Sequence, residues 1–283
     1  MIEKIFIPTI KRTNNQVTYD NLPEELKSRV VMVIDPSERD QYNYPCEYLE
    51  LPESIIGSWT QLAETRKFIH QQAGKIKYAV ADDDIVILKR NSKYWTGESD
   101  MEKSRRPATT EEILKFHDDV SSWLDDEEIG IAGMAESYSP PIPTEYSNTK
   151  GAFSYVFYDG RKISEVINDI DITSIRVSED VLFLFECMSR GINTRVSNVY
   201  IYDNKSQNSK MFKDSRPIWE DMFEGDLPKD HFQAKEHYDA LRYIQAKHPH
   251  AMKIYEKEGK LKNTKYWSKI YIRKDKSSIE GFF

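Results

Sequence analysis

Residues 77–88 read Lys-Tyr-Ala-Val-Ala-Asp-Asp-Asp-Ile-Val-Ile-Leu: an apolar run enters, three carboxylates follow, and a second apolar run leaves. A buried strand does not tolerate three adjacent charges in its middle, because each unpaired one costs several kcal/mol or more to desolvate. The triplet is therefore expected where a strand emerges from a sheet. Clustered carboxylates repel one another unless a cation sits between them, and oxygen-only ligands select hard ions such as Mg²⁺ or Mn²⁺. The pattern predicts a metal site at a strand's C-terminal end, in the crevice where open α/β sheets bind ligands. A solvated acidic turn is the alternative reading.

The surrounding chain favours an α/β fold. Ile5-Phe6-Ile7 is a short β-type run ended by Pro8, with Thr9, Lys11 and Arg12 in the loop behind it. Leu22 to Lys27 reads as one short helix. Val30 to Ile34 is a buried strand ended by Asp35-Pro36. A carboxylate there either reads a ribose or base donor or caps the next turn. Tyr48 to Leu51 is a third strand. Ser58 to Ala73 reads as a helix with Ser58 as cap, Trp59, Leu62, Ile69 and Ala73 near one face, and Gly74 as the stop. Arg66 lies beside that stripe, either snorkelling or reaching a diphosphate in the crevice. This order predicts a doubly wound start with parallel strands.

Lys89 to Pro107 interrupts the alternation. Lys89, Arg90, Lys93, Lys103, Arg105 and Arg106 surround Tyr94 and Trp95, and the stretch reads as a lid or substrate-gripping loop. Thr109-x-x-Glu112 is a capping box for a helix carrying Ile113, Phe116, Val120, Trp123 and Leu124. Ile129 to Met134 and Phe153 to Tyr158 read as strands, with Asp159-Gly160 as a hairpin turn. Ser178 is expected to cap a helix, Glu179 to Met188, closed by Gly191, and Thr194 to Tyr202 is a further strand.

Formal net charge is −7 over 283 residues, which argues against a constitutive polyanion binder unless basic charge is segregated. It is segregated: Lys253 to Lys276 carries nine basic residues against three acidic ones, a local +6, with Tyr255, Tyr266, Trp267 and Tyr271 between them. That texture suits gripping phosphates and stacking bases; a solvated Lys-rich tail over an aromatic mini-core fits it too. Cys46 and Cys187 are far apart with no CxxC, which reads as two reduced thiols. Neither a signal-peptide h-region nor a membrane-length apolar run is visible, so the expected location is the cytoplasm, the host's if the chain is phage-encoded.

The order of a polar residue at each strand exit, a triple Asp and a later helix opened by Glu179-Asp180 resembles a GT-A type glycosyltransferase. The segments IFIPTIKR, AETRKFIHQQA and YAVADDDI resemble the TET-associated glycosyltransferases and related phage enzymes that glycosylate 5-hydroxymethyl-pyrimidines in DNA. The likeness spans residues 3–90 well and 150–200 loosely. It implies a GT-A-like, Rossmann-type open mixed sheet flanked by helices. One catalytic domain would span 1–205, with a nucleotide-sugar half at about 1–90 and an acceptor half at about 108–205. A mostly helical, basic extension, 206–283, would pack on it.

Carried over by position, the resemblance implies that Thr9, Arg12 and Asp35 line the nucleotide pocket and that Arg66 faces the diphosphate. Asp82 and Asp84 would form D-x-D and border a Mn²⁺ or Mg²⁺ ion, with His250 of His248-Pro249-His250 as a further ligand. Strand alternation, with period two, puts Asp82 and Asp84 on one side and Asp83 on the other, so Asp83 is expected to be a bystander to the metal that bonds the donor sugar or a backbone amide. Glu179 and Asp180 would be the catalytic acid pair, with Asp180 facing the acceptor hydroxyl; acids in a first helical turn also simply complement the helix dipole. The implied activity is sugar transfer, of glucose or arabinose, from a UDP-sugar to 5-hydroxymethylcytosine or a related pyrimidine in phage DNA, gripped by Lys89–Arg106 and Lys253–Lys276. A saccharide or small-molecule acceptor, a non-catalytic nucleotide-binding module and a metal-dependent nuclease are the competing readings.

Overall fold

Val30 to Ile34 is five apolar residues without a polar break, so a strand built from it must be covered on both faces. In the computed structural model it is β2 (Val30–Ile34), buried along its whole length. Val30, Met32 and Ile34 enter one core and Val31 and Val33 the other, as alternation with period two requires. The structure describes residues 1–91, 105–137, 139, 142, 144–148, 151–205 and 239–249, and the backbone of 252–256 and 268–272.

β1 (Lys4–Pro8), β2, β3 (Glu47–Glu50) and β4 (Lys77–Ala81) lie in the order β3-β2-β1-β4, all parallel. The chain winds outward from β1 to β3. It then crosses back through α3 (Gln61–Ala73) to place β4 beside β1. That reversal puts the topological switch point between the C-terminal ends of β1 and β4. Beyond β4 the sheet continues through β9 (Tyr155–Asp159), β7 (Ile129–Glu136), β10 (Asn193–Asn204), β5 (Ile85–Arg90) and β6 (Arg105–Pro107). Here β7 and β10 are parallel and the other neighbours antiparallel. The two-residue β8 (Tyr146–Ser147) pairs with β10.

Helices cover both faces. α3, α5 (Gly160–Val166), α6 (Glu179–Ser189) and α7 (239–247) pack on Phe6, Val31, Val33, Tyr78, Val80 and Val156. α1 (Val17–Asn21), α2 (Glu24–Lys27) and α4 (Thr110–Trp123) cover Ile5, Ile7, Met32, Ala79 and Phe157. The expected capping box is formed: Thr109 Oγ1 accepts from the Glu112 amide and Glu112 accepts from the Thr109 amide. The described part of the C-terminal segment is α7, which buries Ala240, Leu241 and Ile244, and an antiparallel pair, β11 (Met252–Glu256) and β12 (Ser268–Ile272).

Several local expectations are corrected. Leu22 to Lys27 is not one helix, because Leu22 takes an extended conformation ahead of Pro23 and separates α1 from α2. α3 begins at Gln61, and Ser58 bonds the Glu64 carboxylate instead of capping; Trp59 and Leu62 are consequently exposed. Lys89 and Arg90 end β5 while Arg105 and Arg106 lie on the paired β6, so the basic stretch is partly sheet; residues 92–104 lie outside the described residues. Asp159-Gly160 is not a hairpin turn: Asp159 caps α5 by accepting from the Arg161 amide.

Gly160 is needed for close approach, since its amide donates to the Ile76 carbonyl at 2.9 Å and a Cβ would overlap the carbonyl oxygens of Ile76 and Gly74. Gly160→Ala is expected to lower stability by about 1–3 kcal/mol, read as a lower urea midpoint at unchanged slope.

Candidate active site

β4 delivers Asp82, Asp83 and Asp84 to the switch point, and the three occupy a turn leading into β5. Strand alternation does not apply inside a turn, which is why the three side chains diverge differently from the sequence expectation. The turn is held by its backbone. The Asp82 amide donates to the Ser154 carbonyl at 2.7 Å, and the Thr18 amide donates to the Asp83 carbonyl at 3.0 Å. The Thr18 hydroxyl donates to the Asp82 carbonyl and accepts from the Ile85 amide at 2.8 Å.

Across the crevice, the loop after β1 answers the turn. Thr9 Oγ1 donates to Asp83 at 2.6 Å, Arg12 forms an ion pair with Asp83, and Arg12 Nη1 lies 3.4 Å from Asp84. Gln16, fully buried, donates at 2.8 Å to both Thr9 Oγ1 and the Arg12 carbonyl. Asp83 is thus the anchor of this loop rather than a bystander. Burial raises its carboxyl to about 6, against the pull of Arg12 and Thr9. Asp35 caps the following turn, accepting from the Ser37 amide and hydroxyl at 2.8 and 2.7 Å.

Arg66 links the acid turn to the second acid pair. Its guanidinium lies 3.3 Å from Asp82 and 3.0 Å from Glu179, the first residue of α6. Burial opposes its charge, but Glu179, Asp82 and Asp180 together hold it more firmly protonated than usual. One cation does not compensate three acids. Burial and Asp180 push the Glu179 carboxyl up to about 7 despite Arg66. Asp82 is also raised, by burial first and by Asp84 and Asp180, with Arg66 and Ser154 opposing. Beneath Arg66, His70 is buried, bonded to Tyr78 Oη at 2.7 Å, and kept neutral by burial and by the guanidinium itself. Exposure sorts the acids: Asp82 and Asp180 are partly open to the crevice, whereas Asp83, Asp84 and Glu179 are buried.

The structure therefore gathers Thr9, Arg12, Arg66, Asp82, Asp83, Asp84, Glu179 and Asp180 around one crevice, with Asp35 in the turn after β2. His250 lies outside the described residues. Among the described residues no three His, Cys, Asp or Glu side chains form a metal cage by themselves. Gln16, Thr18 and Ser154 were not legible in the sequence, being single polar residues at the start of α1 and in a loop. The site also has a conformational mark: among the described residues, the non-glycine positions with positive φ are Lys11 (54°), Ser154 (58°) and Ser178 (62°). Each directly adjoins this site, and each costs on the order of 1–2 kcal/mol.

Removing Arg66 strands the buried Glu179 carboxylate and takes the partner from half-buried Asp82. Arg66→Met is expected to destabilise by about 3–5 kcal/mol, with part of the loss restored by adding Glu179→Gln, both read by urea unfolding. Glu179 binds its proton more tightly folded than unfolded. Its contribution is therefore present below the ordinary carboxylate range and lost as pH rises through about 7. Urea midpoints measured between pH 5 and 8 are expected to fall less in Glu179→Gln than in wild type.

Among solved structures, S. aureus TarS is similar at 14% identity and a TM-score of 0.43, over 87% of this chain and 72% of that one. A glucose-1-phosphate thymidylyltransferase from Bacillus anthracis follows at 10% identity and 0.37, over 79% and 97%. UTP-bound UGPase from Acinetobacter baumannii shares 8% identity at 0.37, over 70% and 86%. At these scores the likenesses carry no inference about the site. No curated protein sequence matches the chain. The family model for TET-associated glycosyltransferases matches residues 3–212, which span the sheet and every crevice residue named above, and the chain belongs to that family of glycosyltransferases.

Proposed function

We propose that this glycosyltransferase moves a sugar, glucose or arabinose, from a UDP-sugar to the hydroxymethyl group of 5-hydroxymethylcytosine or a related modified pyrimidine in DNA. The observation that carries the reading is the meeting of two acid groups at one switch point: Asp82–Asp84 after β4 and Glu179-Asp180 at the start of α6, joined by Arg66. Thr9, Arg12 and Asp35 lie on the β1–β2 side, where the nucleotide would rest. Residues 1–205 act as one catalytic domain, and 206–283 as an extension packed on it. The reaction takes place in the cytoplasm; among the described residues no helix is long and apolar enough to cross a membrane.

The charge balance fits a divalent cation. Five carboxylates, Asp82, Asp83, Asp84, Glu179 and Asp180, face the guanidinium groups of Arg12 and Arg66, which leaves a negative surplus. Hard ions of the Mg²⁺ class commonly take one or two protein carboxylates and complete their shell with substrate phosphates and water. Asp82 and Asp84 would hold such an ion, Mn²⁺ or Mg²⁺, with His250 as the further protein ligand. When bound, the ion supplies positive charge for the departing diphosphate.

The acceptor oxygen attacks C1 of the sugar, the bond from C1 to the diphosphate oxygen breaks, and the acceptor proton leaves. If configuration inverts, Asp180, partly open to the crevice, takes that proton; if it is retained, Asp180 orients the hydroxyl. A base in duplex DNA is out of reach in the groove and would be flipped into the crevice. Lys89–Arg106 and Lys253–Lys276 supply the phosphate contacts.

Incubation with Mn²⁺, hydroxymethylcytosine DNA and a panel of UDP-sugars should add one sugar mass to the digested nucleoside. Asp84→Ala should abolish the metal-dependent transfer; unchanged turnover would refute the metal assignment, and no added mass with any donor would overturn the function. The net charge of −7 favours a second reading, the same transfer onto a saccharide. A DNA gel shift separates the two, since absence of binding even at low salt removes the DNA acceptor.

A further inference from the structure

Glu38 is an acid that the proposed reaction does not use. It is 8% exposed, and among the described residues no cation is paired with it. Burying a carboxylate without a counter-cation is costly unless its hydrogen bonds are made. Glu38 makes them through one oxygen: Oε2 accepts from the Lys11 amide at 2.9 Å and from the Tyr42 hydroxyl at 3.2 Å. Tyr42 is itself buried. Burial and the Glu38 charge hold its proton well above the ordinary phenol range, so the hydroxyl remains a donor.

The sequence behind β2 puts the carboxylate there. Asp35 caps the 3₁₀ helix Pro36–Gln41, and the Glu38 amide donates to the Asp35 carbonyl at 3.0 Å. β1 and β2 are parallel neighbours, so the loops that follow them leave the same edge of the sheet, and Glu38 reaches from one to the other. The residue it reaches has a left-handed backbone, φ 54°, which a Cβ disfavours and glycine does not. Lys11 stands between Thr9 and Arg12, the two residues bonded to Asp83, and Arg12 Nη1 lies 3.4 Å from Asp84. Gln16 bonds Thr9 and the Arg12 carbonyl; the Lys11 amide is left to Glu38. The Lys11 side chain is exposed, so its backbone is the part built into this network.

We propose that Glu38 is a positioning residue of the donor site: by accepting from the Lys11 amide it holds the left-handed turn that sets Thr9 and Arg12 on Asp83 and keeps the Arg12 guanidinium beside Asp84. The assignment rests on the donor site proposed above. Glu38 acts on the nucleotide through Lys11 and does not touch it. Without the acceptor, Lys11 relaxes toward right-handed backbone, and the fraction of chains with the loop in place falls. The apparent affinity for the donor falls by the same factor.

The test titrates UDP into the full chain with Mn²⁺ by calorimetry and follows amide hydrogen exchange across residues 9–16. It compares wild type, Glu38→Leu, Lys11→Gly and the double variant. Glu38→Leu keeps an apolar side chain in place and removes the acceptor; it should weaken UDP binding about tenfold and speed exchange in the loop. Glycine takes this φ without a Cβ clash, so in the Lys11→Gly background the same change should cost less than about threefold. Glu38→Gln keeps an acceptor for the amide and should stay near wild type. Tyr42→Phe removes the hydroxyl that pins the carboxylate, so it should weaken UDP binding in the same direction, and it carries the test if Glu38→Leu does not fold. Equal UDP affinity in Glu38→Leu and wild type would overturn the proposal. So would an equal loss in both Lys11 backgrounds, which would mean that Glu38 contacts the nucleotide itself. A wild-type chain that binds no UDP defeats the donor reading alone, and exchange then decides. Faster exchange caused by Glu38→Leu but absent in the Lys11→Gly background upholds the positioning role, and unchanged exchange overturns it.

Discussion

The arrangement of the crevice depends on Arg66. It projects from a helix that belongs to neither acid group, yet it touches one carboxylate of each: Asp82 at the end of β4 and Glu179 at the start of α6. A buried ion pair is weak evidence of net stability, because desolvation offsets most of the attraction. Its stronger consequence here is geometric. The sheet fixes the acid turn, the helix layer fixes α6, and Arg66 sets the distance between them. A neutral side chain in its place would leave buried Glu179 and half-buried Asp82 to relax apart.

The loops on either side are held in conformations they would not adopt alone. Lys11, Ser154 and Ser178 all take left-handed backbone without being glycine. Each adjoins bonds that hold the site. Ser154 accepts from the Asp82 amide, Lys11 lies between the two residues that bind Asp83, and Ser178 turns the chain so that Glu179 points inward and Asp180 outward. Strain concentrated around a site whose residues come from four separate segments is what pre-organisation looks like in a static structure.

Much of the fold was legible because the signals were local. The five-residue apolar run of β2, the Gly74 stop, the Thr109 capping box and the Asp triplet at a strand exit each follow from period, capping or desolvation, and each is found in place. The failures were of two kinds. Asp159-Gly160 carries hairpin chemistry, but the same Asp caps a helix equally well, and the close packing of Gly160 on Ile76 decides for the helix. The directions of the three aspartates were misjudged because strand alternation was extended into a turn. In the site, the acids and arginines announced themselves by type. Gln16, Thr18 and Ser154 did not: Gln16 braces the loop after β1 from within it, and Thr18 and Ser154 act on backbone groups more than 60 residues away in the chain.

Exposure, more than residue type, separates the roles of the acids. Asp83, Asp84 and Glu179 are buried and held by Arg12, Thr9 and Arg66, so their charge shapes the field of the crevice from behind. Asp82 and Asp180 are partly open, and the Asp180 charge adds to the burial that raises the Asp82 carboxyl. Two partly exposed carboxylates that repel across a gap favour whatever places positive or protic groups between them. In the proposed reaction those groups are the cation with its diphosphate at Asp82 and the acceptor hydroxyl at Asp180. The same repulsion that makes the empty crevice costly would therefore favour its filled state, and Arg66, bonded to Asp82 and Glu179 together, keeps the two acid groups from relaxing apart before the substrates arrive.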